Sequence, residues 1–453
     1  MGKKIVFIGA GSVVFTQGLL ADMIRTFDGQ KWKLALVDID PNALEISKKL
    51  CEKMIRYKNA DIELSYSTDR CDVLPGSDYV AAMIGVGGRR AWEQDVFIPR
   101  KYGIFQPGGD TVMPGGISRA MRMIPAVVDI CGDIQKLCPA AKFFNFVNPM
   151  TMICRALQKV SSIPVVGLCD GVPYSQDYLA MFAGVDRKRV SSYNAGLNHL
   201  SFIYDFRIDG QDALPVLQDR LKRVREKGID FTNAGCRFTE KDNHELLVEA
   251  PFSWELFEAY GAFPAAGEMH AVEFYAERFS GDKCYYGKTL GVDAFSFEQI
   301  IARGEKRLAD MKRLADSPEE LPEGFFESFS SEHEKLMSII DSMEHDSRTV
   351  FSANVPNHGA VKNLPYESVL EMPAAATAKG MLPLQINDFP DAIAAITARH
   401  AAIAEIAAEA AIRGSRNLFV EAVLMGGYIK DRKSVMRMVD EMLTAQAQYL
   451  PQF

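Results

Sequence analysis

The sequence predicts an α/β protein: an N-terminal doubly wound parallel sheet followed by a C-terminal α+β domain rich in helices. Three observations carry that expectation. The run Lys4-Ile-Val-Phe-Ile-Gly-Ala-Gly-Ser12 reads as a buried strand, a tight turn and a helix start. Strand candidates at 4–8, 34–37, 78–84, 143–147 and 164–168 alternate with helical patterns at 13–27, 41–57, 117–137 and 150–160. The unusual residues fall at the carboxyl ends of those strands, as Gly85-Val-Gly-Gly88, Asn148-Pro149 and Cys169-Asp170. Ligands of open α/β sheets bind beyond those ends.

In the first unit, Gly9 permits the turn and Gly11 lets backbone approach a pyrophosphate. Ser12 opens a helix whose unpaired N–H groups and positive dipole end face the phosphates. The strand Leu34-Ala-Leu-Val37 ends in Asp38, placed to accept hydrogen bonds from a ribose diol, which favours NAD over NADP. Gly85 ends the next strand and joins the cofactor set. The third glycine position holds Val14, and an ordinary βα turn would use the same glycine pair. The expectation is a Rossmann-type NAD-binding domain over 1–175 and a substrate-, metal- and subunit-binding domain over 176–453.

The gross numbers fit a cytoplasmic enzyme. A chain of 453 residues, 48% of them apolar, can bury large cores, and a net charge of −8 invites neither nucleic acid nor an anionic membrane. No apolar run approaches the roughly 18 residues of a membrane span, and a strand that begins at residue 4 leaves no expected leader. Eight cysteines (51, 71, 131, 138, 154, 169, 236 and 284) show no CxxC pairing, so reduced, mostly buried thiols are expected. Beyond 175, residues 200–208 lead into an Asp209-Gly210 turn as a hairpin. The charged stretch 315–332 reads as an exposed loop or lid, and 390–413 and 415–448 read as helices.

The chemistry centres on Cys169 and His199. Cys169-Asp-Gly-Val-Pro173 ends a buried strand, and Gly196-Leu-Asn-His199 follows thirty residues later. That separation is wrong for a local zinc finger, but neighbouring elements can bring thiol and imidazole together on a divalent transition metal. Each residue alone is more often a core residue than a ligand, and the pair gains weight only beside the cofactor turn and the other strand-end residues.

The ordered set of motifs resembles glycoside hydrolase family 4, the NAD- and metal-dependent glycosidases. It comprises Gly9-Ala-Gly-Ser12, Gly108-Gly-Asp-Thr-x-x-Pro-Gly-Gly116, Asn148-Pro149, Cys169-Asp-Gly-Val172, Gly196-Leu-Asn-His199, Glu268-Met-His-Ala-Val-Glu-Phe-Tyr275 and Val355-Pro-Asn-His-Gly-Ala-Val-Lys-Asn-Leu-Pro365. The resemblance runs nearly the full length. It implies elimination assisted by redox chemistry, unlike hydrolysis by two carboxylates. NAD takes hydride from C3 of the sugar, and Mn²⁺ or another divalent metal on Cys169 and His199 chelates O2 and O3. The ketone acidifies the C2 proton, a base removes it, the aglycone leaves, water adds and the hydride returns.

By the same resemblance Asp170 is the general acid, Asp110 raises the basicity of the base, and Asn148 binds substrate. The base is Glu268 or His270, with Tyr275 behind them. Phospho-sugar members carry an arginine seven residues before the proline of their Ile-Pro step, where this chain has Trp92 before Ile98-Pro99. An indole cannot neutralise a phosphate, though it can stack on a sugar. Arg89 and Arg90 lie near enough to substitute, or to pair with cofactor phosphates or a uronate. The implied substrate is an unphosphorylated α-hexoside or hexuronide, while Asp170, shared with the phospho-α-glucosidase branch, points the other way. The alternatives are a 6-phospho-glycosidase, a lactate/malate-type dehydrogenase and a non-catalytic NAD sensor. A small-molecule glycoside is the expected partner, and a homodimer or homotetramer the expected assembly.

Overall fold

The computed structural model describes residues 2–238, 241–329 and 335–453. Its N-terminal part runs β1 (Lys3–Ile8), α1 (Thr16–Thr26), β2 (Trp32–Val37), α2 (Pro41–Lys58), β3 (Ile62–Ser67), β4 (Tyr79–Ala82), α3 (Gly88–Lys101), α4 (Met113–Leu137), β5 (Lys142–Asn145), α5 (Met150–Val160), β6 (Val165–Gly167) and α6 (Gly171–Ala183). The six strands are parallel and lie in the order β3-β2-β1-β4-β5-β6, that of a doubly wound dinucleotide-binding sheet. Ile5, Val6 and Phe7 are wholly buried because β1 is central and covered on both faces, which is why its sequence lacks alternation. Helix α1 starts at Thr16, later than the pattern suggested. Residues 12–15 form a turn in which Ser12 Oγ accepts the N–H groups of Val14 and Phe15, each at 3.3 Å.

The second part runs β7 (Val190–Leu197), β8 (Leu200–Ile208), β9 (Gln211–Asp212), α7 (Leu214–Glu226), α8 (Asn243–Glu249), α9 (Pro251–Tyr260), β10 (Phe263–Pro264), α10 (Glu268–Phe274), α11 (Phe297–Asp316) and α12 (Leu336–His345). It ends with β11 (Val350–Pro356), β12 (Val369–Thr377), β13 (Gly380–Pro383), α13 (Asp391–Arg413), α14 (Arg416–Gly426) and α15 (Arg432–Ala445). The hairpin expected at 200–208 is β8, which pairs with β9 through the Asp209-Gly210 turn and with β7 on its other edge. A separate core around Phe182, Phe206, Trp254 and Phe257 supports this small antiparallel sheet.

Strands β11–β13 belong by sequence to the second half and by pairing to the first sheet. β11 joins β6 antiparallel at Asn354–Gly167, and β12 and β13 follow, making nine strands. The Ala-rich α13 buries its alanine face against α4, α5 and α14 within the chain. The stretch 315–332 starts in the last two residues of α11 and continues as a mostly exposed loop in which Leu321 is buried and Phe326–Phe329 form a single 3-10 turn; 330–332 lie outside the described residues. Its described residues strap α1 and α2: Arg25 of α1 donates to Phe329 O, Lys53 Nζ of α2 donates to the carbonyls of Leu314 (2.7 Å), Ser317 and Glu319 (3.3 Å), and Phe326 stacks on Tyr57. Over 317–329 the stretch is thus a loop bound to helices and not a lid.

Candidate active site

The glycine turn after β1 is built for close approach. Gly9 has φ +88°, and a Cβ there would come within 2.8 Å of the Met83–Ile84 peptide beyond β4. Gly11 has no room either: its Cβ would lie 2.6 Å from Ala43 Cβ and 2.7 Å from Asp38 Oδ2. Asp38 braces the turn, accepting the Gly11 N–H at 2.7 Å and that of Asp40 at 3.0 Å. Across from it, Gly85 is exposed, with no atom within 4 Å of where a Cβ would stand. Bare backbone on two adjacent strand ends is a cradle for a flat, phosphate-bearing ligand. Ser12, an expected cofactor residue, spends its hydroxyl oxygen on the turn itself.

Next to β5 and β6 four polar elements converge. Cys169 and Asp170 follow β6, and His199 sits in the β7–β8 turn. Asp110 lies in the loop before α4, and His270 in the first turn of α10. Cys169 Sγ is 3.4 Å from His199 Nε2. A tetrahedral centre with a thiolate at about 2.3 Å and an imidazole at about 2.0–2.1 Å separates those two atoms by roughly 3.6 Å, so the pair fits a shared ion. The rings of His199 and His270 stack with centroids 3.8 Å apart, and ligand atoms of Asp110, His199 and His270 lie within 4.8 Å of one another. Thiol, imidazole and carboxylate together suit a divalent transition metal.

Hydrogen bonds settle one tautomer. Thr111 Oγ1 donates to Asp110 Oδ1 (2.9 Å), so toward His199 Nδ1 (2.7 Å) it acts as acceptor. His199 then carries its proton on Nδ1 and keeps the Nε2 lone pair facing Cys169, the state a metal ligand needs. Burial, and then His270, push His199 down to about 3, against the pull of Asp110. His270 is also lowered, chiefly by burial. Burial alone would raise Asp110, but His270, His199, Arg119 and the Thr111 hydroxyl outweigh it and hold the carboxyl below its ordinary value. Neutral imidazoles beside an ionised carboxylate need lose no proton to take a cation.

A cavity of ≈190 Å³ opens against this cluster, with Asp170, His270, Tyr174, Arg237 and Glu249 in its wall. Asn148 donates to Asp110 Oδ2 at 3.4 Å, and its buried Oδ1 has no partner among the described residues. Asn148 O accepts Arg119 Nε at 3.0 Å, so Arg119, which the sequence reading passed over, belongs to the site's floor. Trp92 stands beside it, but its N–H is given to Gly108 O at 2.8 Å and its ring rests edge-on against Phe297. It braces the Asp110 loop. Arg89 donates to Gly304 O at 2.6 Å and Arg90 pairs with Glu93 and Glu305, so the structure ties both to helices and not to the cavity.

Glu268 lines the cavity yet is fully committed. Its four acceptor sites receive Phe252 N (2.8 Å), Ser253 N (2.8 Å), Ser253 Oγ (2.6 Å) and Tyr285 OH (2.7 Å), capping the start of α9. Burial pushes it up to about 7 against those bonds. It has no lone pair left for a substrate proton. Tyr275 packs on Phe252 beneath the Arg278 guanidinium. Glu273, given no role within the 268–275 motif, is wholly buried and accepts the N–H groups of Gly108 (2.8 Å) and Gly109 (2.7 Å), anchoring the Asp110 loop to α10.

Fold and site together define an enzyme that joins a dinucleotide-type sheet to a metal-competent thiol–imidazole centre. The chain belongs to the family 4 glycosyl hydrolases: the family 4 glycosyl hydrolase model matches residues 4–185, and the model of the family's C-terminal domain matches residues 194–426. It is 27% identical over 459 residues to the alpha-galactosidase of Bacillus subtilis (strain 168), with 100% of each chain covered. It is 29% identical over 473 residues to the alpha-glucosidase of Erwinia rhapontici, with 99% of each covered. The crystal structure of a 6-phospho-alpha-glucosidase from gut microorganisms, in complex with NAD and Mn²⁺, matches at TM-score 0.82 and 18% identity over 100% of both chains.

Proposed function

We propose that this family 4 glycosidase hydrolyses an unphosphorylated α-hexoside or hexuronide using NAD and a divalent metal such as manganese. What carries the reading is the meeting of Cys169 and His199 at 3.4 Å beside the glycine cradle and the Asp170–His270 cavity. When bound, NAD supplies a hydride acceptor for C3 of the sugar, and the metal a Lewis acid for the sugar's hydroxyl and keto oxygens. Gly9, Gly11 and Gly85 would admit the dinucleotide with Asp38 at its ribose, and Cys169 and His199 would hold the metal.

The remaining roles follow from what each side chain has free. His270, neutral and in the cavity wall, takes the C2 proton at an imidazole nitrogen, while ionised Asp110 beside it favours the protonated ring. Asp170, exposed at the cavity, delivers a proton to the leaving oxygen. The unpartnered Oδ1 of Asn148 accepts a sugar hydroxyl. Arg89 is tied to Gly304 O and lies outside the cavity wall, and Trp92 gives its one N–H to Gly108 O, which disfavours a 6-phosphate at that place. Arg237, in the cavity wall, is a counter-charge for a uronate. A cytoplasmic location, with its eight cysteines kept as thiols, is part of the same proposal. No helix among the described residues is long and apolar enough to cross a membrane. A homodimer or homotetramer completes the proposal, to be read by light scattering.

The test is a panel of p-nitrophenyl hexosides and hexuronides, each with and without a 6-phosphate. They are assayed in D₂O with NAD, Mn²⁺ and thiol, then with each omitted. Turnover of unphosphorylated substrates that needs both cofactors and leaves deuterium at C2 is expected. Cleavage without NAD, or without C2 exchange, would remove the mechanism. Preference for the 6-phosphates would move the chain to the phospho-glycosidase branch.

A further inference from the structure

The turn that carries His199 is held in a conformation it would not choose alone. His199 lies at φ +64°, and at Gly196 a Cβ would sit 2.2 Å from Leu200 O. A non-glycine residue stays in the left-handed region only where its surroundings over-determine it. Here they converge on Glu371 of β12, which is 2% exposed. Its Oε1 accepts Asn198 Nδ2 at 3.1 Å, on one side of His199, and its Oε2 accepts Ser201 Oγ at 2.6 Å, on the other. Oε1 also accepts Asn354 Nδ2 at 3.2 Å. Asn354 in turn donates to Gly167 O at 3.4 Å and pairs with Gly167 across the sheet, two residues before Cys169. One buried carboxylate thus touches the supports of both the thiol and the imidazole.

We propose that Glu371 is a positioning residue that sets the Cys169–His199 separation, and hence the bite offered to a divalent metal. It acts through Asn198 and Ser201 on the imidazole side and through Asn354 on the thiol side. The inference rests on reading Cys169 and His199 as ligands. Residues that orient metal ligands from outside the coordination sphere typically change affinity or activity by about 10–100-fold when removed. A carboxylate serves because three donors from two chain segments meet in a place that water does not reach, and an apolar residue would leave the Asn198 amide and the Ser201 hydroxyl unpaired.

The experiment is a Co²⁺ titration of the metal-free full chain, read by the thiolate-to-cobalt band in the near ultraviolet. Wild type is compared with Glu371→Gln, Glu371→Leu, Ser201→Ala and Asn354→Ala, with Cys169→Ser as control and thermal melts alongside. Glu371→Gln keeps an acceptor for both asparagines and should bind close to wild type. Ser201→Ala and Asn354→Ala each cut one arm. They should remain folded and lose roughly 10–100-fold in Co²⁺ affinity, with a shifted band. Glu371→Leu should lose at least as much, and if it does not fold the two single-arm variants decide. Variants that melt earlier yet bind Co²⁺ with wild-type affinity and band would overturn the proposal and leave Glu371 a packing residue. A wild type with no thiolate band would sink the ligand reading and the proposal together, whereas a wild type with the band and indifferent variants would sink the proposal alone.

Discussion

Glu268 and His270 stand two residues apart in one helix and have opposite prospects. Glu268 is saturated by four donors, whereas His270 faces the cavity with a neutral ring. Glu268→Ala should therefore cost stability, about 2–4 kcal/mol from unpaired buried donors, with activity per folded molecule nearly kept. His270→Gln should keep the melting temperature and lower kcat by about 10²–10⁴-fold. Urea melts and glycoside assays on the two variants check both. Glu371 gives a pH signature. Burial pushes it up to about 7 against hydrogen bonds from Ser201, Asn198 and Asn354, from an ordinary value of 4.5. The folded state holds a proton the unfolded chain has released, so its contribution is full below about pH 4.5 and is lost as pH rises through 7. Metal-free wild type should lose about 3 kcal/mol relative to Glu371→Gln between those limits, measured by denaturant titration. Neither carboxylate could be sorted from sequence. Each is a surface residue by type, and what fixes its task is the set of distant donors that reach it.

Among the elements, the strand–turn–helix at the start was plainly legible, because a buried apolar run ending in spaced glycines has few other solutions. Strand β3 was not: it lies at the sheet edge, and Ile62-Glu-Leu-Ser-Tyr-Ser67 alternates weakly with polar residues exposed. Helix α3 was missed because Gly87 and Gly88, with φ +73° and +56°, look like a loop and in fact launch the helix. Its inner face also includes a buried Asp95, paired with Arg122 of α4 at 2.6 Å. The glycines themselves separate packing from function. Gly11→Ala places a methyl group against α2 and Asp38 and should disturb the turn and NAD binding together. Gly85→Ala meets open space, so its melting temperature should be unchanged while NAD affinity falls. Calorimetric NAD titration of the two variants, with melts, tells these apart.

At the scale of the molecule, the sequence revealed a doubly wound sheet but not its full extent. Nothing local in 350–383 says that these strands pair with β6 across nearly two hundred residues of intervening chain, and the clamp at Glu371 is invisible for the same reason. The motif around Asn148, Cys169 and His199 could be gathered by resemblance, while Arg119, Glu371 and the task of Glu273 emerge only once the chain is folded. A fragment ending at residue 185 should consequently aggregate, because β6 would present an unpaired edge. Size-exclusion chromatography of that fragment, with and without a co-expressed 186–453 piece, measures it. The same pairing has a temporal side. During synthesis at about 5–20 residues per second, the partner of β6 emerges roughly ten to forty seconds after β6 itself. Throughout that interval the nascent sheet is open on the flank where its thiol waits. Holdase chaperones, translation speed and the oxidation state of Cys169 in the unfinished chain thereby become determinants of how much active enzyme a cell obtains.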